Sequence, residues 1–189
     1  MLKVVAVEPY IFQNEKSYRV KLADTIKNET IYYKFNKNSE KLGKYYFEVL
    51  GGLTYPDDFF CDYLKIPASQ DGEQKVLAIL DEGVSVVKVK KGKTVAYHLE
   101  ANIMETTVSM KRGISLMLES GHKIERPEQE ITLGTKNDHV TYKASFELTP
   151  AEVSQLAASP VKDWKISGFE RKFIEGKKLQ GMVQCQRSR

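Results

Sequence analysis

The sequence predicts a mainly β, α+β protein whose antiparallel sheets pack in a sandwich-like arrangement. Short runs rich in Val, Ile, Thr and aromatic residues alternate apolar and polar side chains along most of the 189 residues, which is the pattern of half-buried strands. Turn signals separate these runs at short intervals, as expected for hairpin connections. Helical patterns are confined to a few segments, of which the best marked lies near residues 149–159.

The first forty residues predict a β-meander, in which consecutive strands lie side by side. Alternating runs at 2–7, 18–22 and 30–35 are the expected strands. Lys27-Asn28-Glu29 is a polar turn between the last two of them. This segment therefore predicts a small antiparallel sheet.

Two helices are expected after the meander. Ser39 can cap the first, and apolar side chains follow at helical spacing over 42–50 until Gly51-Gly52 ends the pattern. Pro56 suits the first turn of the second helix, whose apolar residues lie within 59–64. The second helix is expected to be short because few apolar positions support it.

A second set of strands follows the loop at 68–72. The runs that alternate there are 76–80, 84–89 and 94–103. The tip at 90–93 predicts a tight hairpin whose lysines face water. Further strands are expected, in order along the chain, at 113–118, 123–124, 130–133 and 139–148.

The clearest local signal is the segment Thr149-Pro-Ala-Glu152. It combines a capping threonine, a proline at the first helical position and a glutamate three residues after the cap, which together form a capping box. We expect a helix that starts here and ends at Pro160. A strand over 161–174 and a terminal helix over 176–189 are expected to follow.

The last third of the chain contains the stretch YKASFELTPAEVSQL at 142–156, the segment VKDWKI at 161–166 and a late cysteine, Cys185. With these features it resembles the end of many uncharacterised β-rich bacterial domains of unknown function, particularly from the Bacteroidota. The resemblance implies the order strand, capped helix, strand and terminal helix. It brings no catalytic residues to transfer to this chain.

The length is sufficient for one large domain or two small ones. We expect residues 1–70 to form a domain of the meander and short helices, and 71–189 to form a β-rich domain with C-terminal helices. One continuous domain is the alternative. A boundary near residue 70 would coincide with the loop at 68–72, and a boundary near residue 104 is the other position that the sequence allows.

Charge and hydropathy argue against two classes of partner. The 29 basic and 25 acidic side chains leave a net charge of +4, and a nucleic-acid-binding surface usually has a stronger basic excess, so nucleic acid is not the expected partner. No apolar run reaches the roughly 18 residues needed to cross a bilayer. The sequence therefore predicts a cytoplasmic chain without a membrane span.

Cys61 and Cys185 are the only cysteines, and they lie far apart in the sequence. Neither belongs to a C-x-x-C pair, so we expect both to be small buried apolar side chains rather than a disulfide or a zinc ligand pair. The histidines His98, His122 and His139 also lack the close spacing of metal ligands. No metal or cofactor is expected.

The function expected from these features is a non-enzymatic, β-rich protein-interaction module, either a subunit of a larger bacterial or phage assembly or an adaptor. A protein partner or a second copy of the chain is the expected ligand, because strand edges and a tyrosine-rich composition suit interfaces. The alternative is a hydrolase whose dispersed catalytic residues come from Asp57, Asp58, Cys61 and His98. These four residues would have to converge in one pocket.

Overall fold

The computed structural model describes residues 2–12, 14–24, 26, 29–35, 55–56 and 58–189. The chain divides into two compact units, Met1–Phe59 and Phe60–Arg189. Its strands form antiparallel sheets and helices are few, which confirms the predicted mainly β, α+β fold. The helix expected over 42–50 lies outside the described residues. Whether each unit folds as an independent domain stays a prediction.

The first unit contains the expected meander. Strands β1 (Leu2–Phe12), β2 (Glu15–Asp24) and β3 (Glu29–Phe35) pair in the order β1-β2-β3. Alternation along β2 buries Tyr18 and Val20 on one face, because successive side chains of a strand point to opposite sides.

The second unit contains two sheets and two α-helices. One sheet has the strand order β4-β5-β6-β10-β9, and the other has the order β12-β11-β7-β8. The elements are β4 (Glu73–Ile79), β5 (Val84–Lys91), β6 (Thr94–Glu105), β7 (Ile114–Leu118), β8 (Lys123–Arg126), β9 (Thr132–Lys136), β10 (His139–Leu148), α1 (Pro150–Ala158), β11 (Val161–Ile166), β12 (Phe169–Lys172) and α2 (Gly176–Ser188).

Both sheets contribute to one apolar core. Leu99 and Tyr142 come from the five-stranded sheet, Leu116 and Trp164 come from the four-stranded sheet, and both helices add leucine side chains to the same cluster. Every second residue of the central strands points into this core and the residues between them face outward. The polar alternation predicted from the sequence therefore separates a buried face from an open face.

Helix α1 begins with the predicted capping box. The Glu152 amide donates to Thr149 Oγ1 at 3.3 Å, and Glu152 Oε2 accepts from the Thr149 amide at 2.8 Å. The same carboxylate binds the Arg126 guanidinium through both oxygens, at 2.8 and 2.9 Å. This hydrogen bond with Arg126 and those with Thr149 lower the pKa of Glu152.

Two expected elements differ in the structure. The strand expected over 161–174 is a hairpin of β11 and β12, because Ser167 and Gly168 take left-handed backbone conformations that reverse the chain. The short helix after Pro56 is a 3-10 helix, Phe59–Tyr63. Both differences arise from backbone geometry that apolar spacing does not reveal.

The expectation that the cysteines are unpaired is wrong. Cys61, in the 3-10 helix, forms a disulfide with Cys185 near the end of α2. The two residues are 124 positions apart, so only the folded chain brings their sulfur atoms together. Cys185 is buried, as expected, whereas Cys61 is only half-buried.

Helix α2 is also bound to the five-stranded sheet by polar contacts. The buried side-chain amide of Gln186 donates to the carbonyls of Val76 and Val86, at 2.7 and 2.8 Å. Lys88 Nζ donates to the Gln186 carbonyl at 2.6 Å. Burial lowers the pKa of Lys88, since removal from water disfavours the charged form.

We expect reduction of the Cys61–Cys185 disulfide to destabilise the second unit. Closing a loop of this length restricts the unfolded chain, and the chain-entropy relation gives an upper figure of about 5 kcal/mol for the lost free energy of unfolding. Urea unfolding with and without reductant, followed by fluorescence of Trp164, measures the loss. A C61S/C185S variant should show the lower stability and no response to reductant; equal stability of the oxidised and reduced protein would contradict this prediction.

We expect Glu152→Gln to lower the free energy of unfolding by about 1.5–3 kcal/mol at neutral pH, the range for a hydrogen bond to a charged group. Because folding lowers the pKa of Glu152 from its ordinary 4.5, its contribution is complete above that value and is lost as pH falls through the folded-state pKa. The difference in free energy of unfolding between wild type and Glu152→Gln, measured by urea unfolding at several pH values, should therefore become small at acidic pH.

The matched control for this pH series is Glu125→Gln, which removes an exposed carboxylate paired with Lys123. Exposed ion pairs contribute little, so the control should change stability by less than about 1 kcal/mol. The stabilising role of the Glu152 carboxylate would be contradicted if Glu152→Gln lowered the free energy of unfolding no more than the control does. A loss of stability that does not change with pH would also contradict it.

Candidate functional site

Three of the four residues proposed for a hydrolase lie among the described residues, and each is described in its own structural setting. Asp57 lies outside the described residues. Asp58 is exposed and forms an ion pair with Lys16 of β2. The hydrogen bond from Lys16 lowers the pKa of Asp58, so this carboxylate is less basic than an ordinary aspartate.

Cys61 and His98 have no catalytic arrangement between them. The sulfur of Cys61 is bonded to Cys185, and a disulfide has no thiolate to act as a nucleophile. His98 is half-buried in the middle of β6, where it lies opposite Val87 and Glu147. Within the part of the chain that the structure describes, its ring makes no hydrogen bond that would orient it as a base.

The other histidines lie beside turns. The Nδ1 atom of His122 is 3.2 Å from Ser120 Oγ, and that of His139 is 2.7 Å from the Asn137 carbonyl oxygen. Among residues 58–189 and the described segments before them, no three His, Cys, Asp or Glu side chains are grouped so as to hold a metal ion.

Several basic side chains in the last third of the chain are ion-paired. Arg171 contacts Glu105 of β6, Lys172 Nζ lies 2.7 Å from an Asp163 oxygen, and Lys178 pairs with a glutamate three residues earlier. Carboxylates beside these cations compete with any phosphate group for them. These basic residues therefore form a mixed-charge surface.

An exposed segment held by several hydrogen bonds is the connection between β6 and β7, residues 106–113, which we call the β6–β7 loop. The buried Tyr142 of β10 holds the loop backbone through its hydroxyl group. Its hydroxyl accepts a hydrogen bond from the Ser109 amide at 2.7 Å and donates one to the Thr107 carbonyl at 2.9 Å. One side chain thus satisfies two backbone groups of the loop.

The β11–β12 turn holds the loop from a second direction. Ser109 Oγ donates to the Ser167 carbonyl at 2.6 Å, and Ser167 Oγ donates to the Lys111 carbonyl at 2.7 Å. The Ser167 amide donates to the Gly113 carbonyl at 3.0 Å. These bonds connect the loop to both sheets of the second unit, so its backbone is fixed at several points.

The β6–β7 loop also presents large apolar side chains to solvent. Val108 is 68% exposed and Met110 is 81% exposed. Met104, at the end of β6, is more than half exposed. An apolar side chain on a mobile loop can turn inward, but the hydrogen bonds of Ser109 hold the two flanking residues at the surface.

Sequence reasoning did not identify this loop. Nothing in the local pattern shows that Tyr142 and Ser167 lie beneath the segment from Met104 to Met110. The available signal was an apolar–polar–apolar triplet, Val108-Ser109-Met110, between two strands. That triplet alone is too short to predict an exposed surface.

We expect Tyr142→Phe to release the β6–β7 loop without unfolding the sheet. The ring and its edge contact with Phe169, at 5.1 Å between centroids, are retained, whereas two hydrogen bonds are lost. The free energy of unfolding should fall by about 1–3 kcal/mol, and hydrogen exchange at the Ser109 amide should accelerate. Exchange at core amides of β10 is the internal control, and an unchanged Ser109 rate would contradict the anchoring role.

In the described part of the chain, neither α1 nor α2 has the length and apolar composition of a membrane-spanning helix. Comparisons with protein-family models, with curated proteins and with solved structures find nothing that matches this chain. The resemblance to bacterial β-rich domains therefore stays a prediction, and the chemistry and geometry of the described residues are the basis for a functional proposal.

Proposed function

We propose that the protein is a non-enzymatic protein-interaction module that binds its partner through the β6–β7 loop, as a subunit of a larger assembly or as an adaptor. The observation that carries this proposal is the exposure of Val108 and Met110 on a backbone that Tyr142 and Ser167 hold in place. Exposed apolar groups are common, but a fixed pair on one short loop is a suitable anchor.

Fixing the loop favours binding because less conformational entropy is lost on association. An unsupported loop would have to be ordered by its partner, and ordering reduces affinity. Here the hydrogen bonds of Ser109 and Tyr142 order the loop before any partner arrives. The apolar area of Val108 and Met110 can then contribute to affinity more fully.

The charges beside these side chains indicate the chemistry of the partner. Lys111 and Arg112 are exposed next to Met110, and neither forms a salt bridge with any residue that the structure describes. Cations at the edge of an apolar contact favour acidic residues on the opposite surface. We therefore propose a protein partner with an apolar recess bordered by carboxylates.

The disulfide bears on where this module acts. Disulfides persist in oxidising compartments and are uncommon in the reducing cytoplasm. The Cys61–Cys185 bond therefore favours an oxidising compartment over the cytoplasmic location expected from the sequence. We propose that the partner is encountered there.

We expect the double variant Val108→Asp/Met110→Asp to lose its partner. Burying each side chain is worth about 1.5–3 kcal/mol, so affinity should fall by at least roughly tenfold. The tagged protein, expressed at native level in its source cells and recovered at physiological salt, gives the measurement by quantitative mass spectrometry of co-purified chains. Nuclease treatment before recovery removes partners bound through nucleic acid.

The matched control is Val95→Asp, because Val95 is an exposed valine at the start of β6, outside the loop. This variant should retain the partner. Recovery of the chain alone from wild-type cells, or equal loss of the partner in both variants, would contradict the proposal. Self-association that the double variant abolishes would identify a second copy as the occupant.

A further inference from the structure

The outer face of the five-stranded sheet contains a cleft of about 490 Å³. This volume lies in the range of small-molecule sites. Glu100 and Asn102 of β6 and Lys143 and Ser145 of β10 line its floor, and the residues between them along each strand point into the core. The cleft is therefore separate from the residues proposed for protein binding.

Strand register arranges the floor as two rows of polar side chains. Ser85, Glu100 and Ser145 lie side by side on β5, β6 and β10. Asn102, Lys143 and Thr132 form the next row, on β6, β10 and β9. Neighbours within a row are about 4.8 Å apart, and the rows are separated by about 7 Å along the strands.

These six side chains make no hydrogen bonds or salt bridges to other described residues. Glu100 and Lys143 face the same cleft with opposite charges, yet no salt bridge joins them. Glu100 on β6 and Ser145 on β10 lie on strands that are paired on both sides, so their backbone positions are fixed. The backbone positions of the floor are thus fixed, and its side chains are donors and acceptors with free hydrogen-bonding capacity.

Two backbone contacts shape the walls. The Gly113 amide donates to the Gln129 carbonyl at 3.0 Å, which holds the segment that lines one side. On the other side, the Asn102 amide donates to the Gly83 carbonyl at 2.7 Å. Gly83 has φ +83°, and a Cβ there would lie 2.0 Å from the Asn102 carbonyl oxygen, so only glycine permits this approach.

The lining argues against several ligand classes. Glu100 and Glu130 outnumber Lys143, which disfavours phosphate and other anions. The only apolar side chains at the floor, Ala101 and Ala144, are buried in the core, so an apolar ligand finds no contact surface. A peptide that adds as a strand needs a free sheet edge, whereas β6 and β10, which carry the central side chains of the floor, are already paired on both sides.

We propose that this cleft binds a neutral, hydroxyl-rich ligand, a short oligosaccharide. The floor combines a carboxylate, which only accepts hydrogen bonds, an ammonium group, which only donates them, and carboxamide and hydroxyl groups, which do both. Ligand hydroxyl groups can bind all of these because a hydroxyl both donates and accepts. Along each row the strands place hydrogen-bonding side chains about 4.8 Å apart, so several hydroxyl groups of one sugar chain can each find a partner. No aromatic side chain of the described residues lines the cleft, so binding is weak and depends on hydrogen bonds.

The experiment is a titration of the full-length, oxidised protein followed by two-dimensional ¹H–¹⁵N NMR. The probes are cellotetraose, maltotetraose and chitotetraose, with inorganic phosphate and a lysine-rich peptide as contrasting classes. At least one oligosaccharide should shift the amide signals of Glu100, Asn102, Lys143 and Ser145, and phosphate should not. Asn102→Ala should weaken that binding about fivefold, the effect of one net hydrogen bond.

Glu100→Ala and Glu147→Ala form a matched pair of variants. Both remove an exposed glutamate from the outer face of the same sheet, but Glu147 lies outside the cleft. Glu100→Ala should weaken oligosaccharide binding and Glu147→Ala should not. The proposal is overturned if no oligosaccharide shifts these signals, if phosphate or the peptide shifts them instead, or if the two variants weaken binding equally.

Discussion

The attachment of helix α2 to the five-stranded sheet is the constraint on which much of the second unit depends. The disulfide between Cys61 and Cys185 connects the start of this unit to its end. The buried amide of Gln186 adds hydrogen bonds to two strand carbonyls. A buried polar group that lost these partners would be strongly destabilising, so the helix has one well-defined position, and leucine, methionine and valine side chains of α2 complete the core.

The same strand geometry produces both the core and the proposed ligand cleft. Because side chains alternate along a strand, burial of Leu99 and Ala101 requires Glu100 and Asn102 to face outward. Pairing of β6 with β10 then sets Lys143 and Ser145 beside them. The polar cleft therefore follows from the register that the core enforces, since a shift of one residue would exchange the two faces.

The β6–β7 loop shows how buried polar groups can organise a surface. The ring of Tyr142 is buried in the core, and its hydroxyl forms hydrogen bonds with the backbone of the loop. Ser167 belongs to a turn whose left-handed backbone positions its hydroxyl near Lys111. Through these contacts, the packed sheets fix the backbone that carries exposed Val108 and Met110. The position of the loop therefore depends on an intact core.

The sequence by itself determined the local elements. Alternation predicted the meander, the hairpin at 90–93 and β10, and the Thr149 capping box predicted α1, because these features depend on residues within a few positions of one another. Only the tertiary structure decided that Cys61 meets Cys185, that Tyr142 supports Ser109, and that two rows of polar side chains form a cleft. Each of these joins residues that are distant in the chain, and their proximity depends on strand order and packing, which local spacing does not encode.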